Sequence, residues 1–186
     1  MDKFKFTPFP NLNSPRLALR ALQISDASQI FLIRSDSSVN KYLDRPAQKS
    51  NKEAESFISK INLGVKNNDC VYWAISKKDN PKLIGTICLW NFASDKNSAE
   101  VGYELLPDFQ GQGIMNEALK SVIEFGFNEV GLDFIDAYSH SQNIPSKKLL
   151  EKNNFVQNLA KTETSNINTI VFTLFNQNRT GTNNAK

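Results

Sequence analysis

The chain is poor in the residues that usually build metal sites and histidine-dependent catalytic sites. Its 186 residues include two cysteines and one histidine, His140. A single histidine argues against a His-based zinc site and against a Ser-His-Asp triad. Cys70 and Cys88 lie in apolar surroundings without the spacing of metal ligands, so we expect two reduced core thiols. We therefore predict no metal.

Long apolar runs and runs of one charge are also missing. No uncharged apolar stretch approaches the ~18 residues needed to cross a bilayer. Residues 1–5 lead into prolines rather than into the apolar segment of a secretory signal. The net charge of +3 is too small to indicate nucleic-acid binding, although it would help a polyanionic small molecule to approach. The sequence therefore predicts a soluble, cytoplasmic protein with no membrane and no nucleic-acid partner.

Hydrophobic periodicity predicts one α/β domain with a mixed sheet. Strand patterns occupy residues 17–22, 71–75, 83–90, 98–105, 134–139, 155–159 and 169–174. Helical spacing occupies residues 26–34 and begins again near residues 51, 113 and 143, and Asn80-Pro81 indicates a turn. Hairpin-linked strands followed by a strand-helix-strand-helix unit favour a sheet flanked by helices. We place the domain at residues 1–175 and a polar, disordered tail at residues 176–186.

A glycine turn connects the fourth predicted strand to the third predicted helix. Residues 110–115 (QGQGIM) follow the apolar segment 100–105 (EVGYEL) and open a strongly helical stretch. The N–H groups at such a turn point outward together, and the helix adds partial positive charge, so the turn suits a phosphate group. A glycine pair alone is weak evidence, because most such turns merely reverse the chain. A P-loop is excluded, since no Gly-Lys-Ser/Thr follows the glycines.

Three sequence blocks carry a resemblance to a known family. They are residues 34–43 (RSDSSVNKYL), residues 100–105 running into 109–119 (FQGQGIMNEAL), and residues 143–155 (NIPSKKLLEKNNF). In this order and on these elements they resemble the GNAT acetyltransferase superfamily, most closely the branch that acetylates ribosomal-protein N-termini. Two positions depart from the family pattern. Met115 replaces a small residue, and Asn154 replaces a glycine at a place where asparagine tolerates the left-handed conformation.

The resemblance implies a GNAT-like α/β fold and acetyl-CoA as the cosubstrate. The central sheet would be mostly antiparallel and seven-stranded, with the fourth and fifth strands splayed apart and about four helices around it. The pantetheine arm would pair with the fourth strand at Leu105 and Leu106, and a backbone N–H there would hold the thioester oxygen. Asn143, which is also an expected helix N-cap, would hydrogen-bond the arm. The implied cofactor-binding set continues with Gln110, Gly111, Gln112, Gly113, Ile114, Met115 and Ser146.

Acetyl transfer to an amine also requires proton transfers. The amine must lose a proton, the developing oxyanion needs a donor, and the thiolate must be protonated. By resemblance, Ser146 is the proton donor to the thiolate and Glu100 is the general base. Glu104, His140 and water remain alternatives for the base.

The resemblance leads to an N-acetyltransferase that works by direct attack in a ternary complex. An α-amine titrates near ~8 and a lysine near ~10.4, so neutralising a lysine at pH 7 costs roughly 3 kcal/mol more. An ill-defined base therefore favours a protein N-terminus as acceptor. Tyr42, Trp90 and Phe92 are expected to line the acceptor groove, whereas Trp73 is expected in the core. The alternatives are an acetyltransferase that acts on a small-molecule amine and a non-catalytic domain that senses acyl-CoA. The sequence does not choose between a monomer and a homodimer.

Overall fold

The computed structural model of this protein describes residues 5–95, 97–162 and 167–177. Within them, eight strands form one sheet flanked by five α-helices. The strands are β1 (Leu12–Asn13), β2 (Leu17–Ala21), β3 (Val71–Lys77), β4 (Asn80–Trp90), β5 (Ser98–Leu105), β6 (Phe134–His140), β7 (Val156–Thr162) and β8 (Thr169–Phe175). The helices are α1 (Ala27–Ser35), α2 (Ser37–Asn40), α3 (Asn51–Lys66), α4 (Ile114–Phe125) and α5 (Ile144–Lys152).

The sheet is antiparallel except at one junction. Its strand order is β1-β2-β3-β4-β5-β6-β8-β7, and only β5 and β6 run parallel. These two strands pair over three positions, from Ser98 with Phe134 to Glu100 with Asp136. Beyond those positions β5 continues to Leu105 and β6 to His140 without pairing to each other. This is the predicted splay between the two strands, and it leaves a gap in the sheet.

The helices form where the local sequence favours them. The α4 residues Met115, Ala118, Leu119 and Val122 recur at helical spacing and are all buried. Helix α3 begins after Ser50, whose hydroxyl accepts a hydrogen bond from the Glu53 N–H (3.3 Å). These local signals explain why both helices were predictable from sequence.

Apolar side chains fill both faces of the sheet. The larger cluster lies under α4 and includes Trp73, Phe172 and Leu89. The smaller cluster lies under α1 and α3 and includes Ile30 and Ile58. Trp73 is fully buried and its Nε1–H donates to the Pro10 carbonyl (2.7 Å), which confirms the core position expected for it.

Three details differ from the sequence-based prediction. The described residues contain eight strands rather than seven, because the short β1 pairs with β2, and α2 adds a fifth helix. The β3–β4 hairpin turns at Lys78 and Asp79, with Lys77 paired to Asn80. Pro81 therefore lies at the start of β4, where a missing N–H is tolerated.

Asn176, the first residue of the predicted tail, packs against the domain. Asn176 is buried, and its side chain donates to the Leu132 carbonyl (3.0 Å). Residues 178–186 of the predicted tail lie outside the described residues. Among the helices that the structure describes, none has the length and apolar character that a bilayer crossing requires.

Candidate active site

A cavity of about 500 Å³ lies at the carboxyl end of β5, where that strand has separated from β6. It is bounded by the end of β5, the glycine turn, the first turn of α4, one side of α5 and the segment around α2. The lining residues are Ser38, Val39, Tyr42, Leu43, Tyr103, Glu104, Leu105, Phe109, Gln110, Gly111, Gly113, Ile114, Met115, Asn116, Asn143, Pro145, Ser146, Lys148, Leu149 and Lys152. Side chains from all three sequence blocks therefore meet around one space.

The glycine turn has the backbone that a phosphate cradle requires. Gly111 and Gly113 adopt left-handed conformations (φ +72° and +75°), and α4 begins at Ile114. The first turn of α4 closes with the Glu117 N–H donating to the Gly113 carbonyl, and no side chain of the described residues caps the helix. A Cβ added at Gly111 would have no heavy atom of the described chain within 4 Å. Main-chain N–H groups of this turn and the positive end of α4 thus lie beside open space, an arrangement suited to anionic oxygens.

The two glutamines of the turn have structural partners. The Gln110 side chain donates to the Leu105 carbonyl (3.0 Å), and the Gln112 side chain donates to the Asp108 carbonyl (2.7 Å). These bonds engage both side chains within the protein and hold the turn in shape. Met115 is buried in the core under α4, and its bulk therefore packs against the sheet.

Helix α5 brings Asn143 and Ser146 to the opposite wall. The Asn143 side chain accepts from the Ser146 N–H (3.2 Å), which confirms the predicted N-cap. The Ser146 hydroxyl lies 2.8 Å from the Tyr103 hydroxyl of β5. Burial raises the pKa of Tyr103 to about 12, so its phenol is protonated at neutral pH.

The cavity wall contains one carboxylate, Glu104, which pairs with two arginines. Arg45 contacts Glu104 through both terminal nitrogens (2.5 and 2.9 Å), and Arg34 approaches the same carboxylate at 3.3 Å. All three side chains are less than one-fifth exposed. Asn40 accepts from Arg45 Nε (2.9 Å), which orients the guanidinium. The Glu104 oxygens are therefore engaged in two partly buried ion pairs.

Tyr42 lies in the cavity wall, and its predicted contact with the acceptor stays a prediction. Its ring packs on the His140 ring with centroids 5.3 Å apart. His140 itself is not among the lining residues, and its Nδ1 accepts from the Gln142 N–H (3.1 Å).

Five predicted site residues are not among the residues that line this cavity, and one of them is Gln112 of the glycine turn. Glu100 and Trp90 are paired with each other at the opposite end of β5, where β5 still pairs with β6. Phe92 follows β4 at that same end and packs on Phe6 (5.7 Å). Leu106 packs against the cluster under α1 and α3, and its N–H donates to the Ile84 carbonyl (3.0 Å). For Glu100, Trp90 and Phe92 the reason is topological: β4 and β5 are antiparallel, so the end of β4 lies beside the start of β5, far from the cavity.

Sequence reasoning missed three residues at the site. Tyr103, Arg34 and Arg45 lie at or beside the cavity. Tyr103 stands two residues before Leu105 and so shares its face of β5, a signal that the strand pattern already contained. The contact of Arg45 with Glu104 joins residues 59 positions apart, and nothing local indicates it.

Neither cysteine lines the cavity. Burial raises the pKa of Cys70 to about 11 and raises that of Cys88 as well, so both groups are thiols rather than thiolates at neutral pH. In the described part of the chain, no group of three His, Cys, Asp or Glu side chains is placed to hold a metal ion.

Comparison with known proteins identifies the family. Residues 16–156 match the model of the acetyltransferase (GNAT) domain. The chain belongs to the GNAT acetyltransferase family. It is 33% identical to the uncharacterized N-acetyltransferase YoaA of Bacillus subtilis (strain 168) over 147 residues, which cover 79% of this chain and 83% of YoaA.

Solved GNAT structures share the fold. The ribosomal-protein-S5-alanine acetyltransferase from Vibrio fischeri superposes with a TM-score of 0.73 at 22% identity, covering 90% of this chain and 97% of its own. RimL, a ribosomal L7/L12 α-N-protein acetyltransferase in complex with coenzyme A, superposes with a TM-score of 0.77 at 18% identity, covering 89% of this chain and 98% of its own. The protein is therefore a GNAT N-acetyltransferase that uses acetyl-CoA.

The residues present fit this cosubstrate. Acetyl-CoA supplies an activated acetyl group as a thioester and carries phosphates at its nucleotide end. The left-handed turn at Gly111 and Gly113 provides N–H groups beside open space for the diphosphate. Lys148 and Lys152 line the same cavity and add positive charge for the polyanionic ligand.

Proposed function

We propose that this GNAT enzyme acetylates an α-amine, with a protein or peptide N-terminus as the acceptor. The observation that carries the proposal is the set of contacts of Glu104, the one carboxylate among the described lining residues. Arg34 and Arg45 both pair with its oxygens. No imidazole belongs to that lining set either. The site thus offers little basic assistance to the amine.

A weak base favours an acceptor that loses its proton easily. An α-amine with a pKa near ~8 needs about 1.4 kcal/mol to become neutral at pH 7, whereas a lysine near ~10.4 needs about 4.6 kcal/mol. The difference of about 3 kcal/mol corresponds to more than a hundredfold in the fraction of reactive amine. Water is then a sufficient proton acceptor for an α-amine, and Glu100 is not required at the site.

Each wall of the cavity has a proposed task. The N–H groups of residues 111–115 hold the diphosphate, and the Asn143 side chain fixes the pantetheine arm. The Leu105 backbone holds the thioester oxygen. The Ser146 hydroxyl donates to the departing sulfur. Tyr42 forms the wall for the acceptor. Since neither cysteine lines the cavity, we propose direct attack of the amine in a ternary complex.

The likeness to ribosomal-protein acetyltransferases supports an N-terminal acceptor. Two of the solved structures with the same fold are, by their names, enzymes of ribosomal proteins, and one of these acts on an α-N position. A curated relative with the name "Putative ribosomal N-acetyltransferase YdaF", from Bacillus subtilis (strain 168), is 29% identical over 75 residues, 40% of this chain and 41% of YdaF.

Matched peptides test the proposal. One peptide carries a free α-amine and no lysine, the second has the same sequence with a blocked N-terminus and one internal lysine, and a polyamine represents small acceptors. We expect thiol release from acetyl-CoA with the first peptide, and kcat/KM that rises with pH up to the α-amine pKa near ~8. Glu100→Gln should leave this profile unchanged, because Glu100 lies outside the cavity.

The opposite pattern would replace the proposal. Turnover with the blocked, lysine-containing peptide alone would assign a side-chain acceptor, and turnover with the polyamine alone would assign a small-molecule acceptor. A loss of activity in Glu100→Gln without a loss of stability would indicate that Glu100 is the general base.

A further inference from the structure

Tyr103 is a partly buried tyrosine in the cavity wall whose hydroxyl has no assigned task. It lies near the carboxyl end of β5, on the strand face opposite Glu104, because successive side chains of a strand alternate. Its hydroxyl is 2.8 Å from the Ser146 hydroxyl on α5. The pair thus joins the two walls at the end of β5 that has separated from β6.

The two hydroxyls have a preferred donor. A phenol is a far stronger acid than an alcohol, so the favourable arrangement has Tyr103 donating and the Ser146 oxygen accepting. The Ser146 hydrogen is then not committed to Tyr103 and can point into the cavity. Burial keeps the phenol protonated, since the pKa of Tyr103 is raised to about 12. The donor therefore persists over the whole working pH range.

We propose that Tyr103 is a positioning residue that orients the Ser146 hydroxyl so that its hydrogen faces the sulfur of the departing thiolate. This inference rests on the proposed role of Ser146. Tyr103 acts through Ser146 and does not itself meet the sulfur.

The chemistry balances without a further reactant. Acetyl transfer forms one C–N bond and breaks one C–S bond, and the electron pair of the broken bond stays on sulfur. The nitrogen loses one proton and the sulfur gains one. The Ser146 hydrogen bond stabilises the sulfur anion until that proton arrives, so neither Ser146 nor Tyr103 changes its net protonation over a cycle.

A double-mutant cycle tests whether Tyr103 works through Ser146. We expect Tyr103→Phe to lower kcat about tenfold, the effect of one hydrogen bond to a developing charge, with KM for acetyl-CoA changed less than twofold. In a Ser146→Ala background, Tyr103→Phe should change kcat less than twofold further. An equal loss in both backgrounds would overturn the inference, as would full activity of Tyr103→Phe in the parent.

A matched control separates this role from simple loss of stability. Tyr72 is also partly buried, and its hydroxyl pairs with the Thr86 hydroxyl (3.0 Å) inside the sheet, outside the cavity lining. Tyr72→Phe removes a comparable hydroxyl pair and should leave kcat within twofold of the parent. A tenfold loss in Tyr72→Phe would mean that general destabilisation explains the Tyr103 result.

Coenzyme A binding gives a readout that needs no acceptor. In titration calorimetry from pH 6 to 10, we expect the parent to bind coenzyme A more tightly as the thiol of coenzyme A ionises. This gain in affinity should be reduced at least fivefold in Tyr103→Phe and in Ser146→Ala. Glu104, Tyr42, Lys148 and Lys152 face the same cavity and are common to all variants, so differences between variants isolate the hydroxyl pair. Binding of desulfo-coenzyme A, which lacks the sulfur, should be the same in all of them.

The outcomes distinguish this inference from the proposed acceptor. The inference would be overturned if coenzyme A binding to Tyr103→Phe kept the pH dependence of the parent, or if the variant weakened the binding of desulfo-coenzyme A as much as that of coenzyme A. Neither result would affect the acceptor proposal. If the pH dependence of coenzyme A binding were reduced in Tyr103→Phe but no α-amine were turned over by the parent, the acceptor proposal would be wrong and the role of Tyr103 would be supported.

Discussion

Gly111 shows how one backbone angle determines what the site can bind. Its φ of +72° lies in the left-handed region, which glycine adopts without a Cβ penalty. The residue lines the cavity and faces open space. We therefore propose that main-chain geometry, rather than any charged side chain of the turn, prepares this place for a diphosphate.

Replacing Gly111 by alanine should weaken coenzyme A binding. The added methyl would meet no protein atom, but the left-handed backbone costs a non-glycine residue about 1 kcal/mol. The methyl would also occupy space beside the cradle. We expect the affinity measured by calorimetry to fall at least about tenfold, which is roughly 1.4 kcal/mol.

Gly131 provides a control for backbone strain. It has nearly the same angle (φ +76°) but belongs to a turn outside the cavity lining. Gly131→Ala should lose similar stability in urea and bind coenzyme A like the parent. If both variants lost affinity equally, strain in the fold rather than the cradle would be responsible.

At the scale of elements, α4 is tied to the beginning of the sheet by one carboxylate. Glu117 accepts from the Ser14 hydroxyl (2.6 Å), the Arg16 N–H (2.8 Å) and Arg16 Nε (2.7 Å). The contact joins the first turn of α4 to the β1–β2 connection. It therefore helps to hold the start of α4, and the glycine turn before it, in place.

Glu117→Gln should destabilise the protein by about 1 kcal/mol near pH 7, because an amide replaces a charged acceptor of three hydrogen bonds. Although burial acts to raise the pKa of Glu117, the hydrogen bonds from Ser14 and Arg16 lower it below the usual carboxyl value. Because the pKa of Glu117 is lower in the folded state than in the unfolded state, its charge stabilises the folded protein at pH values above the unfolded pKa of ~4.3. This stabilisation is lost as the pH falls through the folded-state pKa. The difference between parent and variant in urea unfolding should therefore shrink below pH ~4.

Glu124→Gln is the matched control on the same helix, since Glu124 is exposed. It should change the free energy of unfolding by less than ~0.5 kcal/mol at either pH. If the difference in the free energy of unfolding between the parent and Glu117→Gln did not change with pH, the shape of the Glu117 side chain rather than its charge would account for the stability that this contact contributes.

The whole molecule is two sets of antiparallel strands joined by a short parallel junction. Strands β1 to β5 form one set, and β6, β8 and β7 form the other. Only three residue pairs connect them through β5 and β6. The cavity lies past that junction, with β5 on one side and α5, which follows β6, on the other.

A ligand in this cavity should stabilise the entire fold. At a coenzyme A concentration of 100 Kd, the free energy of unfolding should rise by about 2.7 kcal/mol. For a chain of this size that corresponds to an increase in Tm of about 5–10 °C in a thermal scan. Gly111→Ala should show a smaller increase at the same ligand concentration, and an unchanged Tm in the parent would contradict the location of the site.

Local patterns within the sequence determined the elements, the glycine turn and the Asn143 cap. Each depends on residues close in the chain: strand and helix periods, a backbone angle that suits glycine, and a side chain bonded three residues ahead. The fully buried Trp73 also followed from its position in an apolar strand. These parts of the site were predictable because short-range physics is sufficient to form them.

Only the tertiary structure decided which side chains share the cavity. Glu100 and Glu104 stand on the same strand, yet the site lies beside Glu104 because pairing between β5 and β6 ends after Glu100. Tyr103 meets Ser146 across 43 residues, and Arg45 meets Glu104 across 59. The point at which two strands separate depends on packing by α4 and α5 over the whole sheet, and no local period records it.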